Sequence, residues 1–204
     1  MKILFLYHFP LWGNGSGAFL RELSAELIKR GHEIAIVAPD KRKLPKVKHY
    51  VAQPPQMGVF VGHPELPKAK KFGDMDGKEL GEIYLSYLKI TLQAVSDFKP
   101  DVIHVFHIPF LPEIARIIKM LFGTKYIITT HGSDLSFLAK DKRYIPLLHE
   151  ASKNALAITA VSEFTKLWYL RLFGQDIKRK TSVIVGGVNM DHYKTDPKLI
   201  KEID

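Results

Sequence analysis

The chain contains no cysteine among its 204 residues. A disulfide framework, a thiolate metal site and a thiol nucleophile are therefore excluded, so His, Asp, Glu and Ser must carry any chemistry. The absence of cysteine is also typical of a reducing compartment, and we expect a cytoplasmic protein.

Long hydrophobic runs are missing as well. No stretch approaches the roughly 18 consecutive apolar residues that a membrane-spanning helix needs. The apolar start, residues 2–12, is interrupted by His8 and Pro10 and lacks the basic leader and small-residue cleavage site of a signal peptide. We therefore interpret it as a buried first strand.

Acidic residues are outnumbered by basic ones, which gives a formal net charge of +9 and an isoelectric point near 9.5. This excess favours an anionic partner: a nucleotide, a phosphorylated acceptor or the inner face of a membrane, bound peripherally. A solvated lysine-rich surface is the alternative, because the basic residues are scattered. Nucleic acid is not expected, since neither zinc-ligand spacing nor an RNA-binding aromatic motif accompanies the charge.

Apolar runs of strand length alternate with segments of helical period, which predicts an α/β fold with a Rossmann-like, doubly wound, mostly parallel sheet. The predicted strands are Lys2–Tyr7, Glu33–Ala38, Val102–Phe106, Lys125–Thr130, Ala155–Ala160 and Ser182–Val185. The predicted helices are Ser16–Arg30, Lys78–Phe98, Leu111–Leu121, Ile145–Asn154 and Glu163–Phe173. We assign residues 1–188 to this domain and interpret residues 189–204 as a linker that leaves it.

The segment 39–77 breaks the alternation. It contains six prolines and several Gly and Lys residues, so we predict a long excursion with little regular structure. Its apolar stretch Met57–Val61 is a candidate short strand. Long loops of this kind often shape the mouth of a binding site.

A glycine-rich turn, Gly13–Gly17, links the first predicted strand to the first helix. In a doubly wound fold this position offers backbone amides and a helix N-terminus to a phosphate, and we predict that Ser16 caps the helix. The turn departs from the dinucleotide fingerprint G-x-G-x-x-G, because Leu20 replaces the third glycine, and it lacks the P-loop lysine. A tight strand-to-helix connection without a ligand is the alternative.

A second polar cluster, Thr129–Leu135, follows the strand Lys125–Thr130 and so lies at the carboxyl edge, where open α/β sheets bind ligands. His131 is suited to hydrogen-bond a sugar or phosphate, and Asp134 either to hold a pair of hydroxyls or to orient the loop. A purely structural histidine is the alternative.

Two further segments bring polar residues toward this edge. His104 and His107 lie three residues apart in and after a strand, so their side chains face opposite sides and form no metal-binding pair. We expect His104 in the core and His107 at the cleft. Ser162 and Glu163 follow another strand, and Ser162 is a good helix cap. No G-x-S-x-G elbow surrounds Ser162, which argues against a hydrolase triad.

Five segments in order carry a family resemblance: LWGNGSGAFLRELSAELIKRGHEIAIVAP, KPDVIHVFH, YIITTHGSDL, ALAITAVSEFTK and VIVGGVNMDHY. They resemble the N-terminal half of family-4 glycosyltransferases, which have the GT-B fold. The match covers nearly the whole chain except residues 39–77. The glycine-rich turn and the H-G-S-D segment are most similar to the branch that includes N-acetylglucosaminyl-malate synthases.

The resemblance implies two Rossmann-like domains across a cleft, with the acceptor bound mainly by the N-terminal domain and the nucleotide sugar mainly by the C-terminal one. It implies transfer of a sugar from a nucleotide-sugar donor to a sugar, lipid or small-molecule acceptor, with retention of anomeric configuration and without a metal or other cofactor. His131 would be the catalytic residue, beside the transferred sugar. The position of His107 and Asp134 at the carboxyl edge of the sheet adds these two residues to those that the resemblance implies. The predicted substrate-binding residues are therefore Gly15, Ser16, Gly17, His107, Asp134, Ser162, Glu163 and Asn189. Asn189 stands where the family usually has Asp.

The family's paired glutamates, an E-x7-E element of the C-terminal domain, have no counterpart in the sequence. We therefore expect transfer to need a missing C-terminal domain or a partner chain, since catalysis depends on holding donor and acceptor together. Three alternatives stay open: a ligand-binding module without transfer activity, half of a sugar-nucleotide epimerase, and an inverting glycosyltransferase.

Overall fold

A computed structural model describes residues 1–60, 66 and 69–187. Its strands are β1 Lys2–Leu6, β2 Glu33–Ala38, β3 Val47–Val51, β4 Gly58–Val59, β5 Lys70–Lys71, β6 Val102–Phe106, β7 Lys125–Thr130, β8 Ala157–Ala160 and β9 Thr181–Val183. Its α-helices are α1 Gly15–Lys29, α2 Gly77–Phe98, α3 Leu111–Phe122, α4 Ser133–Lys140, α5 Ile145–Asn154 and α6 Glu163–Phe173.

Seven of these strands form one parallel sheet in the order β3-β2-β1-β6-β7-β8-β9, while β4 and β5 pair only with each other. The predicted α/β doubly wound class is confirmed. Every predicted strand and helix is present, with ends within two residues of those expected. Long apolar runs and helical periods are reliable because they follow directly from what must be buried.

Both faces of the sheet are covered, as the apolar strands require. Successive residues of β1 point to opposite sides: Leu4 and Leu6 join the larger core, which α2, α3, α5 and α6 complete. Ile3 and Phe5 join a second core on the other side, together with Leu20 of α1. The two layers follow from right-handed crossovers that run in opposite directions from the middle of the sheet.

The segment 39–77 is more regular than predicted. The expectation of little regular structure is wrong for β3. This strand pairs with β2 from Ile34 opposite Val47 to Ala38 opposite Val51. Only Tyr50 of β3 is buried, because the strand lies at the sheet edge, so its sequence lacks the apolar run of a central strand. The candidate strand at Met57–Val61 is represented by β4.

The helix α4 is also missing from the sequence-based prediction. It has only eight residues and begins at Ser133 without a side-chain cap, because Gly132 stands at the cap position. The usual N-terminal signal is therefore absent. Tertiary contacts stabilise it instead, through the buried side chains of Leu135, Phe137 and Leu138.

The order of the sheet reverses between β1 and β6. From β1 the chain crosses through α1 to β2 on one side, and it returns through α2 to β6 on the other. The loops that leave the carboxyl ends of β1 and β6 therefore diverge and leave a crevice, which is where ligands bind in sheets of this kind. No helix in the described part of the chain is long and apolar enough to cross a membrane.

Candidate functional site

An open pocket of about 360 Å³ lies at this crevice. Four predicted site residues line the same pocket although they come from three different segments of the chain: Gly15, Ser16, His107 and His131. The sequence-based prediction missed five further lining residues: Phe9, Asn14, Val59, Phe60 and Ser133. Two of these come from the 39–77 segment, in agreement with its expected place at a binding mouth.

Asn14, and not Ser16, caps α1, which corrects the prediction. The Gly17 amide donates to Asn14 Oδ1 at 2.7 Å, and Asn14 Nδ2 donates to the Pro10 carbonyl at 2.7 Å. Asn and Ser are comparable caps, so sequence alone does not distinguish two candidates two residues apart. Ser16 lies instead in the first helical turn, where backbone N–H groups lack intrahelical acceptors and the helix end is partly positive.

The Ser16 hydroxyl is the centre of a hydrogen-bond cluster. Its Oγ lies 2.8 Å from the Tyr7 hydroxyl, 3.1 Å from Asn14 Oδ1 and 3.0 Å from His107 Nε2. Burial raises the pKa of Tyr7, so this phenol stays a neutral donor. The cluster fixes the first turn of α1 against the ends of β1 and β6.

The two glycines of this turn have different surroundings. A Cβ at Gly15 would meet no atom within 4 Å, whereas a Cβ at Gly17 would lie 2.5 Å from the Leu11 carbonyl oxygen. Gly17 is therefore needed for close packing of the β1–α1 loop on the helix, and it does not line the pocket. Of the two, Gly15 has space beside its backbone for a ligand.

His107 has an unusual backbone for a residue with a side chain. Its φ angle is +68°, in the left-handed region that such residues rarely adopt, and its side chain is 2% exposed. The ring bridges two groups: Nε2 meets Ser16 Oγ, and Nδ1 lies 3.7 Å from Asp134 Oδ2. Strain of this kind persists where the surroundings over-determine a conformation, which is common at functional sites.

Asp134 lies beneath the pocket and is fully buried, so it does not form part of the pocket wall. Its carboxylate accepts hydrogen bonds from the Thr130 hydroxyl and from the Gly132 and Leu135 amides. Burial alone would raise its pKa, but His107 and the hydrogen bond from Gly132 lower the pKa below its usual value. Of the two roles open from the sequence, the geometry favours orientation of the loop.

His131 is a neutral imidazole in this environment. Burial and the nearby His107 lower the pKa of His131 to about 3, against the opposing effect of Asp134. Its ring centroid lies 4.7 Å from that of His107, and its buried Nε2 has no hydrogen-bond partner in the described structure. A buried polar atom without a partner is rare in proteins, and here it belongs to a side chain that lines the pocket.

Two other histidines serve the core. His104 bonds through Nε2 to the Thr129 hydroxyl at 2.7 Å, and burial lowers its pKa to about 3, which agrees with the expected core histidine. His8, absent from the sequence-based site, lies among Phe9, Phe60 and other aromatic rings behind the pocket. Burial and the nearby His107 lower the pKa of His8 well below 6.5.

The structure places Ser162 and Glu163 outside the pocket. Ser162 caps α6 as predicted, accepting from the Thr165 amide at 3.1 Å. Glu163 is 66% exposed and pairs with Lys166 at 3.3 Å. Both follow β8, at the same carboxyl edge but two strands away from β6. Asn189 falls outside the described residues.

The site therefore offers hydrogen-bond donors, the neutral imidazole of His131 and a helix N-terminus, which together suit an anionic ligand rich in hydroxyl groups. In residues 1–60, 66 and 69–187, no group of three or more His, Asp or Glu side chains is arranged to hold a metal ion.

A sequence profile of Glycosyltransferase Family 4 matches residues 13–192. No curated protein sequence matches the chain significantly. Among solved structures, sucrose-phosphate synthase from Thermosynechococcus elongatus has a TM-score of 0.69 at 14% identity, over 99% of this chain and 52% of that one. Anabaena HepE in complex with UDP and glucose has a TM-score of 0.64 at 16% identity, over 100% of this chain and 49% of that one.

The UDP-GlcNAc 2-epimerase from Neisseria meningitidis, bound to UDP-GlcNAc, is similar as well. Its TM-score is 0.54 at 18% identity, over 90% of this chain and 45% of that one. The chain spans about half the length of these solved structures. At such identities, the likeness shows a shared fold.

Proposed function

Because the chain belongs to Glycosyltransferase Family 4, we propose that it is the acceptor-side domain of a retaining glycosyltransferase that uses a nucleotide-sugar donor. The observation that carries the proposal is the pocket at the β1/β6 crevice, where the first turn of α1 faces His107 and His131. Transfer would need a second domain that covers the open side of this pocket, so the chain alone would transfer little or nothing.

The first turn of α1 is the proposed contact for the donor diphosphate. Gly15 has open space where a side chain would lie, and the first-turn amides would donate to an anion that the helix dipole stabilises. Similar folds occur with UDP and glucose bound in HepE, which supports a nucleoside diphosphate sugar as the donor class.

His131 is the proposed catalytic residue, acting as a neutral hydrogen-bond partner of the transferred sugar through its unpaired Nε2. Its low pKa makes it a poor base, so it would orient and stabilise the sugar without accepting a proton. Asp134 and His107 would hold His131 and Ser16 in place. Ser162, Glu163 and Asn189 stay proposed ligand contacts.

Donor binding by this chain is measurable directly. We would titrate UDP-glucose into the isotope-labelled chain and follow backbone amide signals by NMR. The proposal expects shifts at Gly15, Ser16 and His131, and weaker binding in Ser16→Ala and His131→Asn. Ser96→Ala, on the exposed surface of α2, is the matched control and should bind normally. Equal affinity of all variants for UDP-glucose would refute the pocket as the donor site.

Under the proposal, transfer itself requires this domain together with a second one. A panel of nucleotide sugars and candidate acceptors should give product by mass spectrometry with a protein that holds both domains and none with this chain alone. NMR coupling constants of the first-formed product then assign its anomer, and an inverted anomer would refute retention. Robust turnover by this chain alone would refute the need for a second domain.

Half of a sugar-nucleotide epimerase is the second candidate, favoured by the likeness to the Neisseria enzyme. Inversion at a ring carbon by proton exchange would incorporate solvent deuterium into UDP-GlcNAc without an acceptor. The full protein in D2O therefore distinguishes the two: deuterium in recovered donor supports an epimerase, and acceptor-dependent product supports a transferase.

A further inference from the structure

A second groove of about 610 Å³ adjoins the pocket. Phe60 and Ser133 line both, so the two spaces are neighbours. One wall is α4, and the other consists of the turn at Phe72–Asp74. The site described above accounts for none of the groove's other polar residues.

The groove is mainly cationic. Lys71, Lys140, Lys142 and Arg143 line it, against Asp74 and Asp141. None of the three lysines has an ion-pair partner among the residues that the structure describes. Their ammonium groups are therefore available to an anion from outside the chain.

Arg143 has a different part in the groove. Its guanidinium pairs with both carboxylate oxygens of Asp141 and donates to the Met75 carbonyl at 3.3 Å. This side chain therefore ties the two walls together and neutralises Asp141. The positive charge left for a ligand therefore belongs to the lysines.

Hydroxyl groups extend the same surface toward the pocket. Ser133, Ser136 and Lys140 lie three and four residues apart along α4, a spacing that brings them to one face of the helix. All three line the groove. Hydroxyl donors near the pocket and ammonium groups farther out suit a compact anion with several acceptor oxygens.

We propose that this groove binds a phosphate group carried by the acceptor, and so places the acceptor's hydroxyl in the adjoining pocket. The identification of the ligand as the acceptor rests on the proposed function, whereas the phosphate site itself does not. A phosphate monoester carries close to two negative charges near neutral pH and three acceptor oxygens, which matches lysines and hydroxyls better than a single carboxylate does. The phosphate could belong to a small metabolite or to a lipid headgroup.

The test uses the chain with glycerol 3-phosphate as probe and glycerol as the neutral control. NMR titration should shift the amides of Ser133, Ser136, Lys140 and Lys142 with the phosphate and not with glycerol. In the double variant Lys140→Gln/Lys142→Gln, binding should weaken about tenfold or more, because each ammonium ion lost at about 4 Å costs roughly a factor of five in a water-like dielectric. Lys89→Gln/Lys178→Gln removes the same charge from exposed sites elsewhere and should bind normally.

A parallel arm uses vesicles of phosphatidylglycerol, with phosphatidylcholine vesicles as the neutral control. A variant effect on glycerol 3-phosphate assigns a small phosphorylated acceptor, and an effect on the anionic vesicles alone assigns a lipid headgroup. Absence of groove shifts, or equal affinity of the two double variants in both arms, overturns the proposal. UDP-glucose binding at Gly15 and Ser16 is scored separately, so failure of the donor site and failure of the groove are distinguishable.

Discussion

Replacement of Gly17 by alanine tests why the glycine-rich turn contains glycine. The added Cβ would lie 2.5 Å from the Leu11 carbonyl oxygen, 2.8 Å from its carbonyl carbon and 3.0 Å from Asn14 Oδ1. These neighbours are backbone and a capping side chain, and the Leu11 carbonyl also accepts from Arg21. The Leu11 amide is bound as well, to Asp40 at 2.6 Å. The loop therefore has little freedom to move away.

The magnitude follows from a comparison with Gly15→Ala. Both changes replace a glycine in the first turn of the same helix, so both gain a similar helix propensity of up to ~1 kcal/mol. Only Gly17→Ala meets a clash, and overpacking costs about 1–3 kcal/mol. We expect Gly17→Ala to be less stable than Gly15→Ala by about 2 kcal/mol, or about 4–8 °C in melting temperature for a chain of this size.

Urea unfolding of the two variants and the parent chain, followed by circular dichroism, measures this difference. Equal stability of Gly17→Ala and Gly15→Ala would refute the packing argument and restore close approach to a phosphate as the reason for Gly17. A stable Gly17→Ala variant that no longer binds UDP-glucose would lead to the same conclusion.

Three further predictions concern stability. Since His8, His104 and His131 have depressed pKa values in the folded chain, the unfolded chain binds more protons below pH ~6.5. Unfolding free energy should therefore decrease from pH 7 to pH 5, by at most ~1.4 kcal/mol per pH unit for each histidine; urea titrations that show no decrease contradict it. Ser162→Ala removes the cap of α6 and should lower the free energy of unfolding by about 1 kcal/mol, whereas Ser96→Ala should leave it unchanged. Thermal melts of the two variants measure this difference. Lys99, at the end of α2, has a φ of +51°, so Lys99→Gly should raise the free energy of unfolding by about 0.5–1 kcal/mol. Lys89→Gly, inside the helix, should lower the free energy of unfolding by a similar amount. Destabilisation by both substitutions would contradict this prediction.

The sheet and its helices were predictable because burial acts on local patterns. Strand β2 is apolar at nearly every position, and α1 has one apolar stripe that ends at Gly31. Edge strand β3 and short helix α4 lack such patterns, since one is half exposed and the other has no cap. Their stability comes from contacts with β2 and with the larger core, which are distant in sequence.

The site divides in the same way. The carboxyl edge, the glycine-rich turn and His131 follow from the order of strands and loops, because parallel strands bring their carboxyl ends to one edge. That order could not show that Asn14 takes the cap position or that Asp134 is buried under its own loop. It also could not show that Phe60 reaches the pocket from the 39–77 segment.

By itself, the sequence determined the fold class, six of the seven strands of the central sheet and the edge at which a ligand would bind. The tertiary structure decided which side chains meet there. It joined Ser16, His107 and Asp134 from three separate segments of the chain, and it made His131 neutral. The physical reason is that hydrophobic periodicity is a local property of the chain, whereas burial, hydrogen-bond partners and pKa depend on neighbours that only folding brings close.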